Sequence, residues 1–110
     1  MISQTKKLKD VAEIKSGFAF KSSEFVKNGI PIIRISNISQ GGEIIILDKN
    51  QPYYKGELND KIKNFILQNQ DILIALSGAT TGKIGIYKEN KPVLLNQRIA
   101  LIRSKDKISN

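Results

Sequence analysis

Two short segments of the sequence combine an arginine with small polar or amide side chains. Residues 34–37 have the sequence Arg-Ile-Ser-Asn, and residues 96–98 have the sequence Asn-Gln-Arg. A guanidinium presents a rigid fork of donors that fits guanine edges and phosphates, and a carboxamide fits adenine. If both segments are strands, the two-residue period places each arginine on the same face as the polar residue two positions away, Ser36 or Asn96. We therefore predict that both segments contact nucleic acid.

Ion pairs within the fold are the competing explanation for the arginines. The chain has three of them, Arg34, Arg98 and Arg103, against fifteen lysines. Carboxylates that could pair with them stand at Glu43, Asp71 and Glu89. The ion-pair explanation applies most to Arg103 and least to Arg98, which follows two amides.

A glycine-bounded loop over residues 77–83 is similar to a phosphate-binding P-loop but departs from its pattern. Three residues separate the two glycines where a P-loop has four, and Ile84 stands where a P-loop has a hydroxyl for Mg²⁺. The residues that follow alternate like a strand, so no helix N-terminus faces a phosphate. Nucleotide hydrolysis is therefore disfavoured as a function. The polar side chains of this loop are instead candidates for contacts with a nucleic-acid backbone.

The composition excludes several classes of catalytic site. The chain has no cysteine and no histidine, which rules out disulfides, thiolate or imidazole zinc sites and a Ser-His-Asp triad. Its net charge of +8 favours an anionic partner, most commonly nucleic acid. No apolar run approaches the roughly 20 residues of a membrane span, and the N-terminus lacks a secretory pattern. We expect a cytoplasmic protein that binds no membrane, no metal and no cofactor.

Short β-branched runs between turn residues predict an α+β fold with more strand than helix. The predicted strands cover residues 29–36, 43–47, 71–76, 83–87 and 93–103. One main helix is predicted over residues 57–67, where apolar residues recur at helical spacing, and a shorter helical piece near 22–28. Residues 8–15 fit a helical turn or a strand, and residues 50–53 are interpreted as a turn. We expect a single domain over residues 1–110, built on a twisted, largely antiparallel sheet.

Four blocks of the sequence resemble, in order, the target recognition domain of the specificity subunit of type I restriction–modification enzymes. The blocks are LKDVAEI at 8–14 with Ser16-Gly17, GIPIIRISNI at 29–38, DILIALSGA at 71–79 with TGKIG at 81–85, and LNQRIALIR at 95–103. The resemblance covers about residues 6 to 104. Such domains normally continue past the last block, so we expect this chain to be the N-terminal part of one, without the surface for methyltransferase subunits.

The resemblance implies a non-catalytic module that recognises double-stranded DNA by sequence. Methylation and cleavage would be carried out by methyltransferase and restriction subunits, and the module could pair with a second target recognition domain or with itself. The residues it suggests toward DNA are Ser16, Lys21, Arg34, Ser36, Asn37, Ser77, Thr80, Thr81, Lys83, Asn96, Gln97 and Arg98. The alternatives are a protein-interaction or assembly fragment that binds methyltransferase or specificity subunits, and a small nucleotide hydrolase.

Overall fold

Eight short strands and very little helix make up the computed structural model, which describes residues 12–46, 50–76 and 82–104. The strands are β1 (Ala12–Ser16), β2 (Phe25–Val26), β3 (Ile30–Ile33), β4 (Tyr53–Tyr54), β5 (Ile72–Ala75), β6 (Ile84–Ile86), β7 (Leu94–Leu95) and β8 (Ile99–Ser104). The helix α1 spans Asp60–Lys63, and two 3-10 turns span Ser22–Glu24 and Ile35–Asn37. No described helix is long and apolar enough to cross a membrane.

The first sheet has the strand order β1-β8-β5-β6, and all its neighbours are antiparallel. Leu73 of β5 lies opposite Leu101 of β8, and both side chains are fully buried. Because alternate residues of a strand point to opposite faces, the residues beside them point away from this core. The face that carries Leu73 and Leu101 therefore covers the larger core. The alternate residues of each strand form the other face.

The second sheet has the order β2-β4-β3-β7, in which β3 and β7 are parallel. The adjacent residues Ile32 and Ile33 of β3 belong to different hydrophobic clusters, and so do Leu94 and Leu95 of β7. Since neighbouring residues of a strand point to opposite faces, the β3–β7 ladder separates the two cores. The ladder is thus buried on both sides.

The α+β class with predominantly antiparallel pairing is confirmed, but the strands form two sheets where we expected one. The main helix is also much shorter than the expected 57–67. The Asn59 side chain caps its start by accepting from the Ile62 amide at 2.9 Å. After residue 65 the chain is extended, because Ile66 pairs with Leu94. Pairing with the second sheet has overridden the helical periodicity.

The predicted strand 93–103 is divided, because the chain passes from one sheet to the other at residues 96–98. Arg98 has φ = 69°, which interrupts the extended backbone. The expectation that Asn96 and Arg98 share a strand face is therefore wrong. The same holds for Arg34 and Ser36, because β3 ends at Ile33 and Ser36 lies in the second 3-10 turn.

The remaining elements match the expectations in part. The strand expected at 43–47 has only isolated bridges at Glu43 and Ile44 within its described residues, and the helical piece near 22–28 is a 3-10 turn followed by β2. The ambiguous segment 8–15 contributes β1 from residue 12 onward. Strand β5 alternates between buried and partly buried residues.

Candidate nucleic-acid interface

Arg34 and Asn96 leave two neighbouring strands at the same end. Ile33 and Leu95 are partners in the parallel β3–β7 ladder, so the residues that follow them lie side by side. The Asn96 amide donates to the Ile33 carbonyl at 3.0 Å. The parallel register therefore brings together two polar side chains that are far apart in the sequence.

The first sheet meets this point with three of its strand ends. The Gly17 amide, just after β1, donates to the Ile99 carbonyl at 3.1 Å. The Leu76 amide, just after β5, donates to the Arg98 carbonyl at 2.9 Å. The end of β1, the end of β5 and the start of β8 thus converge on the crossing segment 96–98.

A shallow cleft of about 330 Å³ lies where these ends converge. Its lining residues are Arg34, Ile35, Ser36, Asn96, Gln97 and Arg98. The side chains of Ser36, Gln97 and Arg98 are exposed. Guanidinium donors, amides and a hydroxyl on one accessible surface can contact base edges and phosphate oxygens. We call the six lining residues the strand-end cluster.

The Arg34 side chain is held in place by a hydrogen bond to a backbone carbonyl. Its Nη2 donates to the Asn50 carbonyl at 2.8 Å. Among the described residues, its Nε finds no acceptor although it is buried, and Asn96 Oδ1 is buried without a donor. An unsatisfied buried polar atom costs about 1–3 kcal/mol. Two such atoms therefore stand in the wall of the strand-end cluster.

Asn37 has a structural position that its sequence did not indicate. Its side chain is only 1% exposed, which differs from the expected position on a DNA-facing loop. Its Oδ1 accepts from the Arg34 amide at 2.8 Å, and its Nδ2 donates to the Ile45 carbonyl at 2.7 Å. The first bond closes the second 3-10 turn, and the second joins this turn to the segment at Ile45. Asn37 therefore fixes the backbone that carries Arg34 and Ser36, with no side-chain surface left for DNA in this conformation.

Gln51 holds the backbone next to the strand-end cluster, a role that was not predicted from the sequence. It is buried, its Oε1 accepts from Asn37 Nδ2 at 2.6 Å, and its Nε2 donates to the Ile32 carbonyl at 2.8 Å. The loop 50–53, interpreted as a simple turn, thus ties the end of β3 to the second 3-10 turn. A carboxamide carries its acceptor and its donor on separate atoms, so this one side chain makes both bonds. Nothing in the local sequence signals that this glutamine is buried.

The crossing segment needs two backbone features. Arg98 is in the left-handed region at φ = 69°, which costs an L residue roughly 1–2 kcal/mol. Gly17 packs so closely that a Cβ atom on it would lie 1.8 Å from the Asn96 carbonyl oxygen. At Gly17, next to Ser16 in the first sequence block, the backbone therefore approaches the Asn96 carbonyl too closely for a side chain.

Of the other expected residues, the structure describes Ser16, Lys21 and Lys83. Ser16 is exposed at the end of β1. Lys83, just before β6, is partly buried and its carbonyl accepts from the Ala75 amide at 2.8 Å, at the same end of the first sheet. Lys21 is exposed at the start of the first 3-10 turn and does not line the cleft. Ser77, Thr80 and Thr81 lie outside the described residues.

Arg103 is a structural residue, as the ion-pair explanation predicted. Its Nε and Nη2 donate to the two carboxylate oxygens of Asp71 at 2.9 and 2.7 Å, and Asp71 is 1% exposed. Its Nη2 also donates to the Ile66 carbonyl at 3.1 Å. The hydrogen bonds with Asp71 raise the pKa of Arg103 above its ordinary value. The three arginines thus divide into one that joins elements of the fold and two at the strand-end cluster.

Among residues 12–46, 50–76 and 82–104, no group of three or more acidic, histidine or cysteine side chains is arranged to hold a metal ion. The strand-end cluster itself contains donors and amides but no carboxylate. Its chemistry is that of hydrogen bonding to an anionic or polar partner.

The sequence matches one family over nearly its whole length. The family described as "Type I restriction modification DNA specificity domain" matches residues 3–110. The MjaVIII specificity subunit of Methanocaldococcus jannaschii is 35% identical over an alignment of 97 residues, which covers 84% of this chain and 22% of that subunit. The EcoBI specificity subunit of Escherichia coli is 34% identical over 94 residues, 84% of this chain and 17% of that subunit. The chain thus spans about a fifth of the length of these relatives.

Solved structures share the fold. The HsdS subunit from Thermoanaerobacter tengcongensis aligns with a TM-score of 0.64 at 16% identity, over 92% of this chain and 23% of that one. A chain of a type I R-M system, solved to explain complex assembly and conformational transition, aligns with a TM-score of 0.62 at 17% identity, over 91% of this chain and 23% of that one. The resemblance in the four sequence blocks is therefore confirmed: the chain belongs to the family of type I restriction–modification DNA specificity domains.

Proposed function

We propose that this chain recognises double-stranded DNA by sequence, as part of a target recognition domain, and has no catalytic chemistry of its own. The observation that carries the proposal is the strand-end cluster. Sequence-distant segments, 34–36 and 96–98, line one cleft through the parallel β3–β7 register. The family assignment supports the same function, because its description names DNA specificity.

The cluster offers two kinds of contact with DNA. The exposed side chains of Gln97 and Arg98 suit base edges in a major groove, which is about 12 Å wide and admits protein elements. Arg34 is anchored to the Asn50 carbonyl, so it suits a fixed contact that orients the loop. Lysines elsewhere would bind phosphates, which gives affinity without sequence information.

The chemical steps belong, in this proposal, to other chains. The relatives are specificity subunits of type I restriction enzymes, and the sequence holds no histidine or cysteine for nucleophilic or metal-assisted catalysis. The module would direct methylation or cleavage by methyltransferase and restriction subunits to its target. Pairing with a second recognition domain, or with a second copy, would supply a second DNA contact.

Selection of bound duplexes from a randomised pool at low salt tests the proposal. We expect one short motif to be enriched by the wild-type chain. We expect the variant Gln97→Ala/Arg98→Ala to lose the motif or its preference at some positions. Lys55→Ala is the matched control, because it removes a positive charge from an exposed residue that does not line the cleft.

Two outcomes would contradict the proposal. The first is a pool without enrichment by a chain that is folded by circular dichroism. The second is capture of methyltransferase or specificity subunits without DNA, combined with no mobility shift on any duplex, which would favour the assembly-fragment alternative.

A further inference from the structure

Two exposed lysines lie on opposite sides of the strand-end cluster, and the first of them is Lys27. Strands β2 and β3 run in the same direction on either side of β4, and Lys27 is the residue after β2. Lys27 shares a cleft of about 410 Å³ with Asn50, whose carbonyl accepts from Arg34 Nη2 at 2.8 Å. Lys27 therefore lies next to the cluster on the β2 side of the second sheet.

The second lysine, Lys61, lies across β7 from β3. The Leu95 amide donates to the Phe65 carbonyl, and the Leu95 carbonyl accepts from the Phe18 amide, both at 2.9 Å, whereas the next amide along the chain donates to β3. The Lys61 ammonium lies 5.4 Å from the centroid of the Phe18 ring, which is a cation–π distance. Because Phe18 is bridged to Asn96, this contact holds Lys61 beside the cluster.

Both ammonium groups are accessible to an anion. Lys27 and Lys61 are exposed, and within the described ranges neither forms an ion pair. The carboxylates nearest to them in the sequence are Glu24 and Asp60, and neither of these pairs with either lysine. The cluster between the lysines contains two guanidinium groups and no carboxylate. The two lysines therefore extend a cationic surface on both sides of the cleft, which suits a polyanion.

The separation of the two sides matches the major groove of DNA. The order β2-β4-β3-β7 contains three strand spacings, and the neighbours of Leu95 across β7 add a fourth. At about 4.8 Å for each spacing, the two sides are roughly 19 Å apart. The walls of DNA grooves are phosphate backbones, and the major groove is about 12 Å wide where the minor groove is about 6 Å. Long side chains at this separation reach both walls of a major groove, and the minor groove is too narrow to match them.

We propose that Lys27 and Lys61 bind phosphates of opposite DNA strands, one on each wall of the major groove, while the strand-end cluster contacts the base edges between them. The line from β2 to β7 then crosses the groove. Phosphate contacts fix the orientation of a protein on the duplex and carry no sequence information, so the two lysines position the cluster. The proposal rests on the proposed function, because it orients DNA at the same site.

The salt dependence of binding, measured by fluorescence anisotropy on the selected and shuffled duplexes, tests the two phosphate contacts. We expect Lys27→Ala and Lys61→Ala each to weaken binding severalfold, by the same factor on both duplexes. Each should lower the slope of log affinity against log salt by about 0.9, and the double variant by about 1.8. Lys61→Arg should keep the wild-type slope, because it retains the charge. A wild-type slope for either alanine variant would overturn the proposal.

Lys55→Ala is the matched control for these variants. Lys55 is exposed and follows β4, which runs opposite to β2 and β3, so it lies at the other end of the same sheet. Its replacement removes the same charge from the same sheet. We expect Lys55→Ala to keep the wild-type slope, and a loss as large as that of Lys27→Ala would overturn the proposal.

Duplexes in which single phosphates are replaced by uncharged methylphosphonates test the placement on opposite walls. The wild type should bind more weakly when positions on either strand are neutralised. Lys27→Ala should become insensitive to replacements on one strand, and Lys61→Ala to replacements on the other. Loss of sensitivity on the same strand in both variants would overturn the proposal. A wild type that prefers no duplex contradicts the proposed function, whereas a wild type that prefers the selected duplex, with unchanged slopes in both variants, contradicts this inference alone.

Discussion

At the scale of single residues, Arg98 combines an exposed guanidinium with a strained backbone. Its φ of 69° lies in the left-handed region, where glycine is the usual residue. Its carbonyl accepts from the Leu76 amide at 2.9 Å, so the surrounding strands hold the conformation in place. A side chain kept where glycine would be more stable is typical of a functional site.

Replacing Arg98 with glycine should separate stability from DNA binding. Relief of the left-handed strain should stabilise the folded state by roughly 1–2 kcal/mol. The greater conformational freedom of glycine in the unfolded chain should destabilise the folded state by about 0.5–1 kcal/mol. We expect the free energy of unfolding of Arg98→Gly in urea to be unchanged or up to about 1.5 kcal/mol higher than that of the wild type. We expect it to bind the selected duplex about 1–3 kcal/mol more weakly.

The matched variant is Arg98→Ala, which removes the guanidinium but retains the strain. It should lose the same binding free energy without the gain in stability. Equal losses on selected and random duplexes would reassign Arg98 to a phosphate contact, and no loss on either would remove it from the interface.

Arg103 should show the opposite behaviour. Its guanidinium is bound to both oxygens of the buried Asp71, so Arg103→Ala leaves a carboxylate buried without its partner. Such a change destabilises by about 3–5 kcal/mol. Urea unfolding of Arg103→Ala should show this loss, and Arg103→Ala/Asp71→Asn should recover part of it. An unchanged midpoint for the single variant would mean that the pair contributes nothing to the fold.

At the scale of elements, the contact between the end of β1 and the crossing segment sets the geometry of the site. Gly17 donates its amide to the Ile99 carbonyl, and Phe18 donates to the Leu95 carbonyl at 2.9 Å. These bonds join residues from both sheets around residues 96–98. A change at Gly17 therefore acts on the strand-end cluster through the backbone.

Gly17→Ala should weaken both folding and binding. A Cβ atom would lie 1.8 Å from the Asn96 carbonyl oxygen, so one of the two backbones must shift. We expect a loss of about 1–3 kcal/mol in the free energy of unfolding and weaker binding of the selected duplex. Gly41→Ala is the control, because its nearest neighbour would be Ser39 Oγ at 3.8 Å. Wild-type behaviour of Gly17→Ala would contradict the close approach.

The connection after β6 should become sensitive to high pH through Tyr87. Its hydroxyl donates to the Lys91 carbonyl at 2.6 Å, and burial, then the charge of Glu89, raises the pKa of Tyr87 above 10.0. Since the folded pKa lies above the unfolded one, its contribution to stability is fully present below pH 10 and is lost as pH rises through the folded pKa. We expect the stability advantage of the wild type over Tyr87→Phe to shrink above pH 10 in thermal unfolding. A constant advantage across that range would contradict the raised pKa.

The sequence predicted the strands better than their arrangement. The residue types of the apolar run at β5 and of the β-branched run at β3 predict a strand at each position. The run 93–103 gives no sign that Leu94–Leu95 and Ile99–Ser104 belong to different sheets, because both halves are equally apolar. The parallel β3–β7 contact that creates the site depends on non-local pairing, which residue periodicity does not encode.

At the scale of the whole molecule, charge and apolar surface occupy different places. The net charge is +8, and the ion pairs described engage Lys15 and Arg103. The strand-end cluster lies where strand ends converge, and the exposed side chains of Ile14 and Ile84 lie on the side of the first sheet that points away from its core.

A salt titration of binding to the selected duplex and to a shuffled duplex tests DNA reading by the strand-end cluster most directly. Contacts to about six phosphates should lower both affinities roughly 10³-fold between 50 and 200 mM salt. Base contacts should keep the affinity for the selected duplex about 10³-fold or more above that for the shuffled duplex throughout. Equal affinity for the two duplexes, or binding that does not respond to salt, would contradict sequence-specific recognition by this chain.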